Sequence, residues 1–345
     1  MRRLSKSFVL LVGILLFTHQ AASGEIKISG NTMGTTYHIT VIDRNNHETP
    51  ETLQAMVDGE LDKVNKSMSM FISDSEISRF NQFREIGKPF PISQGFLYVM
   101  NTGKTVYAAS KGTWDGTVKP LVDLWGFGVT PQEDVVPSEA AISRVLKTVG
   151  FNQINISDNG YLVKKNPEIT LDLSSIAKGY GVDHVAETLK KRNYCDFLVE
   201  IGGEVYCSGV KEDRSTWRVG VNTPKEDAPL DAVYSILGLD NAALATSGDY
   251  RNFFNKDGKH YSHIIDPKSG YPIQNNVVSA SVIASNCTLA DGLATALMAM
   301  GETKGMEMVN GMDGVECLII THNGQGKLEN HYSKGFKKFE ISMEN

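Results

Sequence analysis

The chain has 345 residues, 41% of them apolar, with 34 Lys and Arg against 40 Asp and Glu. This is enough for a large core, with room for two subdomains. The net charge of −6 has the wrong sign for a nucleic-acid partner, and the four cysteines show neither a metal-clip spacing nor a CxxC pair.

Arg2, Arg3 and Lys6 precede an apolar run from Phe8 to Phe17. At about ten residues it is too short to cross a bilayer. Ala21 and Ser23 are small residues where a signal peptidase reads. Residues 1–23 are therefore expected to be a signal peptide, leaving an exported domain over residues 24–345; a retained membrane anchor is the alternative. No cysteine near the cut suggests lipid modification. Without the leader the balance is 31 basic to 40 acidic residues, a net charge near −9.

Gly34 to Ile42 alternates as an early strand, and Thr52 to Met68 carries Leu53, Met56, Val57, Leu61 and Val64 on one helical face. Phe96 to Ala109 is a second helix, and Ser138 caps a third that runs to Val149. Strands are expected at Ile154–Ile156, Tyr161–Lys164 and Ile169–Leu173, the first two joined by an Asn159-Gly160 hairpin turn. A helix from Ser175 to Arg192 follows. Strands then come at Phe197–Ile201, Glu204–Ser208, Trp217–Val221, Val233–Leu239, Ala243–Thr246, Tyr261–Asp266 and Val277–Ala284. Helices over Leu289–Met300 and Lys304–Asn310 precede a last hairpin, Val315–Thr321 with Lys327–Tyr332, turned at Asn323-Gly324. Hairpins alternating with helix pairs predict an α+β fold of antiparallel sheets with flanking helices. No low-complexity tract divides the chain, so any two subdomains are intimately packed. Cys195, Cys207 and Cys317 lie in strand-like apolar contexts and are expected to be small buried thiols.

Several enzyme classes drop out, because the sequence has no P-loop, GxGxxG, HExxH or GxSxG. Asp291 and Thr295, four residues apart, project from one helix face and offer hard oxygen donors suited to Mg²⁺. The nearby helix N-terminus would favour a phosphate; helix capping by Asp291 is the plainer alternative. Gly179 and Gly181 stand inside a helical pattern at a cost of about 1 kcal/mol each, which suggests close approach by a ligand or another backbone, with packing as the alternative. Gly202-Gly203 and the run Ser247 to Arg251 are small and polar between strands, and Arg251 could fork onto a phosphate. His263 is a candidate acid/base, or a structural strand histidine.

Seven stretches together resemble the ApbE family, the FAD:protein FMN transferases. They are TMGT (Thr32 to Thr35), DSEISRFN (Asp74 to Asn81), DGTVKPLVDLWGFG (Asp115 to Gly128), DLSSIAKGYGVD, SGDYRNFF, SHIIDPKSGYPI and LADGLATALM, in that order. The resemblance implies a duplicated, T-fold-like architecture with an FAD cleft between the halves. It implies Mg²⁺ on Asp291, Thr295 and the Ala177 carbonyl, and His263 as the catalytic base beside Asp291. It also implies an FAD site lined by Met33, Phe71, Thr113, Trp114, Asp115, Ser174, Tyr180, Ile265 and Ala294. Many relatives carry Ser-x-Tyr where this chain has Ser69-Met70-Phe71, which keeps the aromatic face and loses a hydroxyl. The implied activity is transfer of FMN from FAD to a threonine or serine of an acceptor protein with loss of AMP. Acceptors would carry a motif like D-G-x-S/T-x-A-S/T and belong to membrane redox complexes facing the periplasm. Asp291-Gly292 begins like that motif, but Ala294 occupies the acceptor position, so self-modification is not expected. An FAD diphosphatase and a non-catalytic FAD-binding module remain the alternatives.

Overall fold

The computed structural model describes residues 24–44, 48–128, 136–225, 228–229, 232–248, 253–256, 258–323 and 326–342. The expected signal peptide, Arg251 and the Gly324 half of the last turn lie outside the described residues.

In chain order the strands are β1 (Gly24–Thr32), β2 (Thr35–Asp43), β3 (Pro89–Pro91), β4 (Ile154–Ser157), β5 (Tyr161–Lys164), β6 (Phe197–Ile201), β7 (Glu204–Ser208) and β8 (Trp217–Asn222). They continue with β9 (Val233–Leu239), β10 (Ala242–Gly248), β11 (Phe253–Lys256), β12 (Lys259–Ser262), β13 (Val277–Ala284), β14 (Glu316–His322) and β15 (Leu328–Tyr332). The helices are α1 (Pro50–Met68), α2 (Glu76–Gln82), α3 (Gln94–Ala109), α4 (Lys119–Leu124), α5 (Glu139–Leu146), α6 (Ser174–Lys191), α7 (Cys287–Met300) and α8 (Glu302–Val309). An eight-stranded antiparallel sheet, ordered β1-β2-β6-β7-β10-β13-β14-β15, organises the molecule. Strands β1, β2, β6 and β7 form one side of this sheet and β10, β13, β14 and β15 the other, and the two sets meet where β7 pairs with β10.

Helices α1, α6 and α7 cover one face of this sheet through two apolar clusters. The β8–β9 hairpin covers the other face with Trp217, Val219, Leu237 and Leu239. All eight residues of β13 are buried, since apolar layers lie on both of its faces. Helix starts follow the sequence: the side chains of Thr49, Ser75, Ser93, Ser138 and Asn286 each accept the N–H three residues ahead. Buried Glu76 ties α1, α2 and α3 by accepting from Ser67 Oγ at 2.8 Å, from Ser93 Oγ at 2.8 Å and from the Ser93 N–H.

Two tight hairpins need left-handed backbone at both loop residues, as a type I′ turn does. One is Gly202-Gly203, with φ of 59° and 98°, joining β6 to β7. The other is Met33-Gly34, with φ of 48° and 74°, joining β1 to β2. At Asn159-Gly160 the loop holds three residues, because Ser157 pairs with Tyr161 and Gly160 takes φ of 79°.

The structure departs from the sequence reading at several places. Strand β1 precedes the expected early strand, and short helices α2 and α4 were not foreseen. The expected strand Ile169–Leu173 does not pair, although Ile169, Leu171 and Leu173 alternate into the core. Asn81 takes the ladder's role instead: its Oδ1 accepts the Leu171 N–H at 2.7 Å and its Nδ2 donates to the Leu171 carbonyl at 2.9 Å. The strand expected at Tyr261–Asp266 ends at Ser262, where Asp266 accepts the Gly270 N–H and closes a turn. All four cysteines are free; Cys207, Cys287 and Cys317 are buried, but Cys195 is exposed because it precedes β6 instead of lying within it.

Candidate active site

Helices α6 and α7 make the closest helix–helix crossing in the fold, and glycine permits it. A Cβ on Gly179 would lie 2.3 Å from the Cys287 carbonyl oxygen and 2.8 Å from Asp291 Cβ. A Cβ on Gly181 would meet the Met33 methyl at 2.6 Å. The first close approach is therefore by the backbone of α7, and the second by a side chain from the β1–β2 turn. Asp183 of α6 reinforces the crossing by accepting from the N–H groups of Cys287 and Thr288 at 2.7 and 2.8 Å and from Thr288 Oγ1. With Asn286 taking the Leu289 N–H, the N-terminus of α7 is already satisfied within the protein. This corrects the expectation that it is free for a phosphate.

Above this crossing lies a cleft of about 520 Å³. It is bordered by Phe71, Thr113, Trp114, Asp115, Ser174, His263, Ile265, Asp291 and Thr295 from the expected set. A second cavity of about 450 Å³ adjoins it, lined by Met33, Phe71, Ser174 and Ala177 among others. Met70, Phe71, Ser174 and Lys178 border both. Two expected residues stand apart. Tyr180, further along α6, lines a separate cavity with Glu76, Arg79 and His184 and stacks loosely on Tyr98. Ala294 is fully buried in the apolar cluster beside Ala290 and Leu293 and borders no cleft.

Asp291 is 3% exposed; its Oδ2 accepts the Gly179 N–H at 2.9 Å, while Oδ1 has no hydrogen-bond partner among the described residues. Thr295 Oγ1 lies 3.1 Å from Ser247 Oγ on β10. No three His, Cys, Asp or Glu side chains gather into a metal cluster among the described residues. The available donors are therefore a mixed oxygen set: the spare Asp291 oxygen, the Thr295 hydroxyl and backbone carbonyls, which fits a hard cation such as Mg²⁺.

Asp115 and Trp114 are tied into the scaffold. Asp115 accepts from the Thr117 N–H at 2.8 Å, from the Thr117 hydroxyl and from the Phe151 N–H at 2.9 Å. Burial raises its pKa, and these hydrogen bonds oppose the rise. Trp114 Nε1 donates to Ser175 Oγ at 3.0 Å. His263 is half-buried on the cleft wall, with its ring edge-on to Phe127 at 6.4 Å between centres.

Sequence reasoning missed Lys178 and Glu204. Lys178 pairs with Glu204, the first residue of a wholly buried strand, at 2.5 Å. Burial pushes Glu204 up to about 8; nearby Asp291 adds to the rise and Lys178 pulls it back. The same burial lifts Asp291, with Lys178 and the Gly179 N–H opposing. Burial acts to lower Lys178, but the two carboxylates outweigh it and leave the ammonium's pKa raised. The available sequence signal was an acidic residue between a two-glycine turn and an apolar strand, where a charge requires a partner.

Fold and site together define an α+β protein with a two-chambered cleft floored by a buried carboxylate. The sequence model of the ApbE family matches residues 33–319, and the chain belongs to this family. It is 41% identical over 326 residues to the FAD:protein FMN transferase of Vibrio cholerae, covering 94% of this chain and 96% of that protein. The Haemophilus influenzae protein of the same name is 38% identical, with 92% of each covered. Among solved structures, the flavin transferase ApbE from Vibrio cholerae superposes with a TM-score of 0.83 at 40% identity over 92% of this chain and 99% of that one.

Proposed function

We propose that this chain transfers the FMN half of FAD to a hydroxyl of an acceptor protein and releases AMP. The observation that carries this reading is the pair of cavities meeting beside the oxygen donors of α7, in a chain whose similar proteins are named FAD:protein FMN transferase. FAD has two ring systems joined by a pyrophosphate, and two adjoining chambers suit that shape.

In the reaction the acceptor oxygen bonds to the FMN-side phosphorus as the bond from that phosphorus to AMP breaks. His263, half-buried on the wall, takes the hydroxyl proton. Asp291, Thr295 and the Ala177 carbonyl would hold Mg²⁺, which when bound neutralises charge on the pyrophosphate. The Gly179 N–H keeps Asp291 turned so that one oxygen stays available. Phe71 presents an aromatic face where the chambers join. No covalent intermediate on the protein is needed, which agrees with the absence of a nucleophile motif.

The acceptor is read as a protein with a D-G-x-S/T-x-A-S/T-like segment, a subunit of a membrane redox complex. The leader at residues 1–23 supports action outside the cytoplasm. The test is incubation with FAD, Mg²⁺ and an acceptor carrying that motif, followed by intact mass and AMP release. One added FMN per acceptor with matching AMP is expected. Asp291→Ala should reduce turnover by at least about 100-fold while FAD still binds; near-normal turnover would remove Asp291 from the metal site. AMP and free FMN without a mass gain would make the chain an FAD diphosphatase.

A further inference from the structure

Four residues border both chambers, Met70, Phe71, Ser174 and Lys178, and only Lys178 is charged. A dinucleotide with one ring system in each chamber must carry its pyrophosphate past these residues. Among the described residues, three other candidate anion-binding groups near the junction are already engaged. The first N–H groups of α7 are bonded to Asp183, and the Ser174 N–H that opens α6 is bonded to Asp172 Oδ1 at 2.9 Å. Lys119, the other lysine on the larger chamber, is paired with Asp123. The Lys178 ammonium has three donors. The ammonium forms an ion pair with Glu204 at 2.5 Å, and no other acceptor engages it among the described residues.

We propose that Lys178 is the pyrophosphate-binding residue of this cleft and that Glu204 is its positioning residue. The proposal rests on reading the cleft as an FAD site. Glu204 is 2% exposed and lies 2.5 Å from the Lys178 ammonium, a contact that fixes a long side chain which would otherwise lose rotamer freedom on binding. During transfer no bond to Lys178 forms or breaks. Its two spare N–H groups screen phosphate oxygens while the acceptor oxygen adds, AMP departs and the proton leaves with His263.

Flavin-fluorescence titrations with FAD and with riboflavin, which lacks phosphate, test this on wild type, Lys178→Gln and the double variant Lys178→Gln/Glu204→Gln. The double variant leaves a neutral pair able to hydrogen-bond, so no buried carboxylate is stranded. FAD affinity is expected to fall roughly 10- to 100-fold in both variants, the loss of one or two charge-assisted hydrogen bonds, with riboflavin affinity unchanged. The FAD affinity of the variants should also depend less on salt. Glu204→Gln alone should weaken FAD less than Lys178→Gln and spare riboflavin. Displacement of bound FAD by AMP against adenosine supplies the same contrast from the other half of the ligand. Equal weakening of phosphorylated and unphosphorylated ligands overturns the proposal, as does full FAD affinity in the double variant. A wild-type chain that binds no FAD would instead overturn the reading of the cleft itself.

Discussion

Two helical glycines two residues apart, Gly179 and Gly181, should respond oppositely to the same substitution. Alanine is favoured over glycine in a helix interior by about 1 kcal/mol, so each replacement starts with that gain. At Gly179 the new methyl would sit 2.3 Å from the Cys287 carbonyl oxygen and 2.7 Å from its carbon. These are backbone atoms, so α7 must retreat by roughly 1 Å to restore ordinary contact. That movement opens the tightest crossing in the fold and strains the bonds from Asp183 to the first turn of α7. Overpacking of this kind, less the propensity gain, leaves Gly179→Ala destabilised by about 2 kcal/mol. At Gly181 the obstruction is the Met33 methyl, the end of an unbranched chain with three rotatable bonds. Met33 can swing away, and Gly181→Ala should remain within about 0.5 kcal/mol of wild type.

Urea denaturation with a shared m-value separates the two cases. The functional consequences should cross over. Gly179→Ala displaces Asp291, whose oxygen is fixed by the Gly179 N–H, and should raise the Mg²⁺ concentration needed for half-maximal transfer. Gly181→Ala displaces Met33, which lines the smaller chamber, and should weaken FAD binding without changing the metal requirement. Equal stability of the two variants, or a larger loss at Gly181, would refute the argument.

Lys164 is fully buried with its Nζ 4.5 Å from the Phe80 ring centre and no hydrogen-bond partner among the described residues, and burial draws its pKa from 10.5 down to about 8. The charge penalty is full below pH 8 and fades between pH 8 and 10.5, so wild-type stability should rise across that window. Lys164→Met should abolish the rise and, after loss of the cation–π contact, stabilise the protein by about 1–2 kcal/mol at pH 7 in urea melts. Asn81→Ala leaves the Leu171 N–H and carbonyl without their partner and should cost about 2 kcal/mol in the same assay; a cost below about 0.5 kcal/mol would mean water replaces the amide freely. Phe71 is 77% exposed between the chambers, so Phe71→Tyr should fit without repacking and tighten FAD binding by about 2- to 10-fold in fluorescence titrations. Weaker binding would show that the hydroxyl finds no acceptor there.

Local rules made the larger elements legible. Caps at Ser138 and the apolar stripe of α1 depend on neighbours within one helical turn, and the chain obeys them. Long-range pairing decided the misreadings. Ile169, Leu171 and Leu173 have a strand's alternation, and whether a neighbouring strand or the Asn81 amide meets them depends on a residue 90 positions away. The expected phosphate-binding N-terminus of α7 failed for a similar reason, because Asp183 reaches it across 104 positions. Asp291 and Thr295 were legible because four residues on one helix fix their relation. Lys178 and Glu204 were not, since a two-glycine turn separates β6 from β7 and only the fold brings Glu204 back against α6.

The contrast between Asp291 and Asp183 shows how the two helices divide the work. Both are carboxylates at the α6–α7 crossing, Asp291 buried and Asp183 half-buried, and desolvation raises both. Asp183 receives three hydrogen bonds, from two backbone N–H groups and one hydroxyl, and is spent on holding the crossing. Asp291 receives one, from the N–H of a glycine whose missing side chain lets α7 come that close. The crossing is thus stabilised by one acid so that another can be held under-coordinated at the cleft floor. An incompletely satisfied buried carboxylate costs stability, and at the proposed metal site a bound cation would offset that cost.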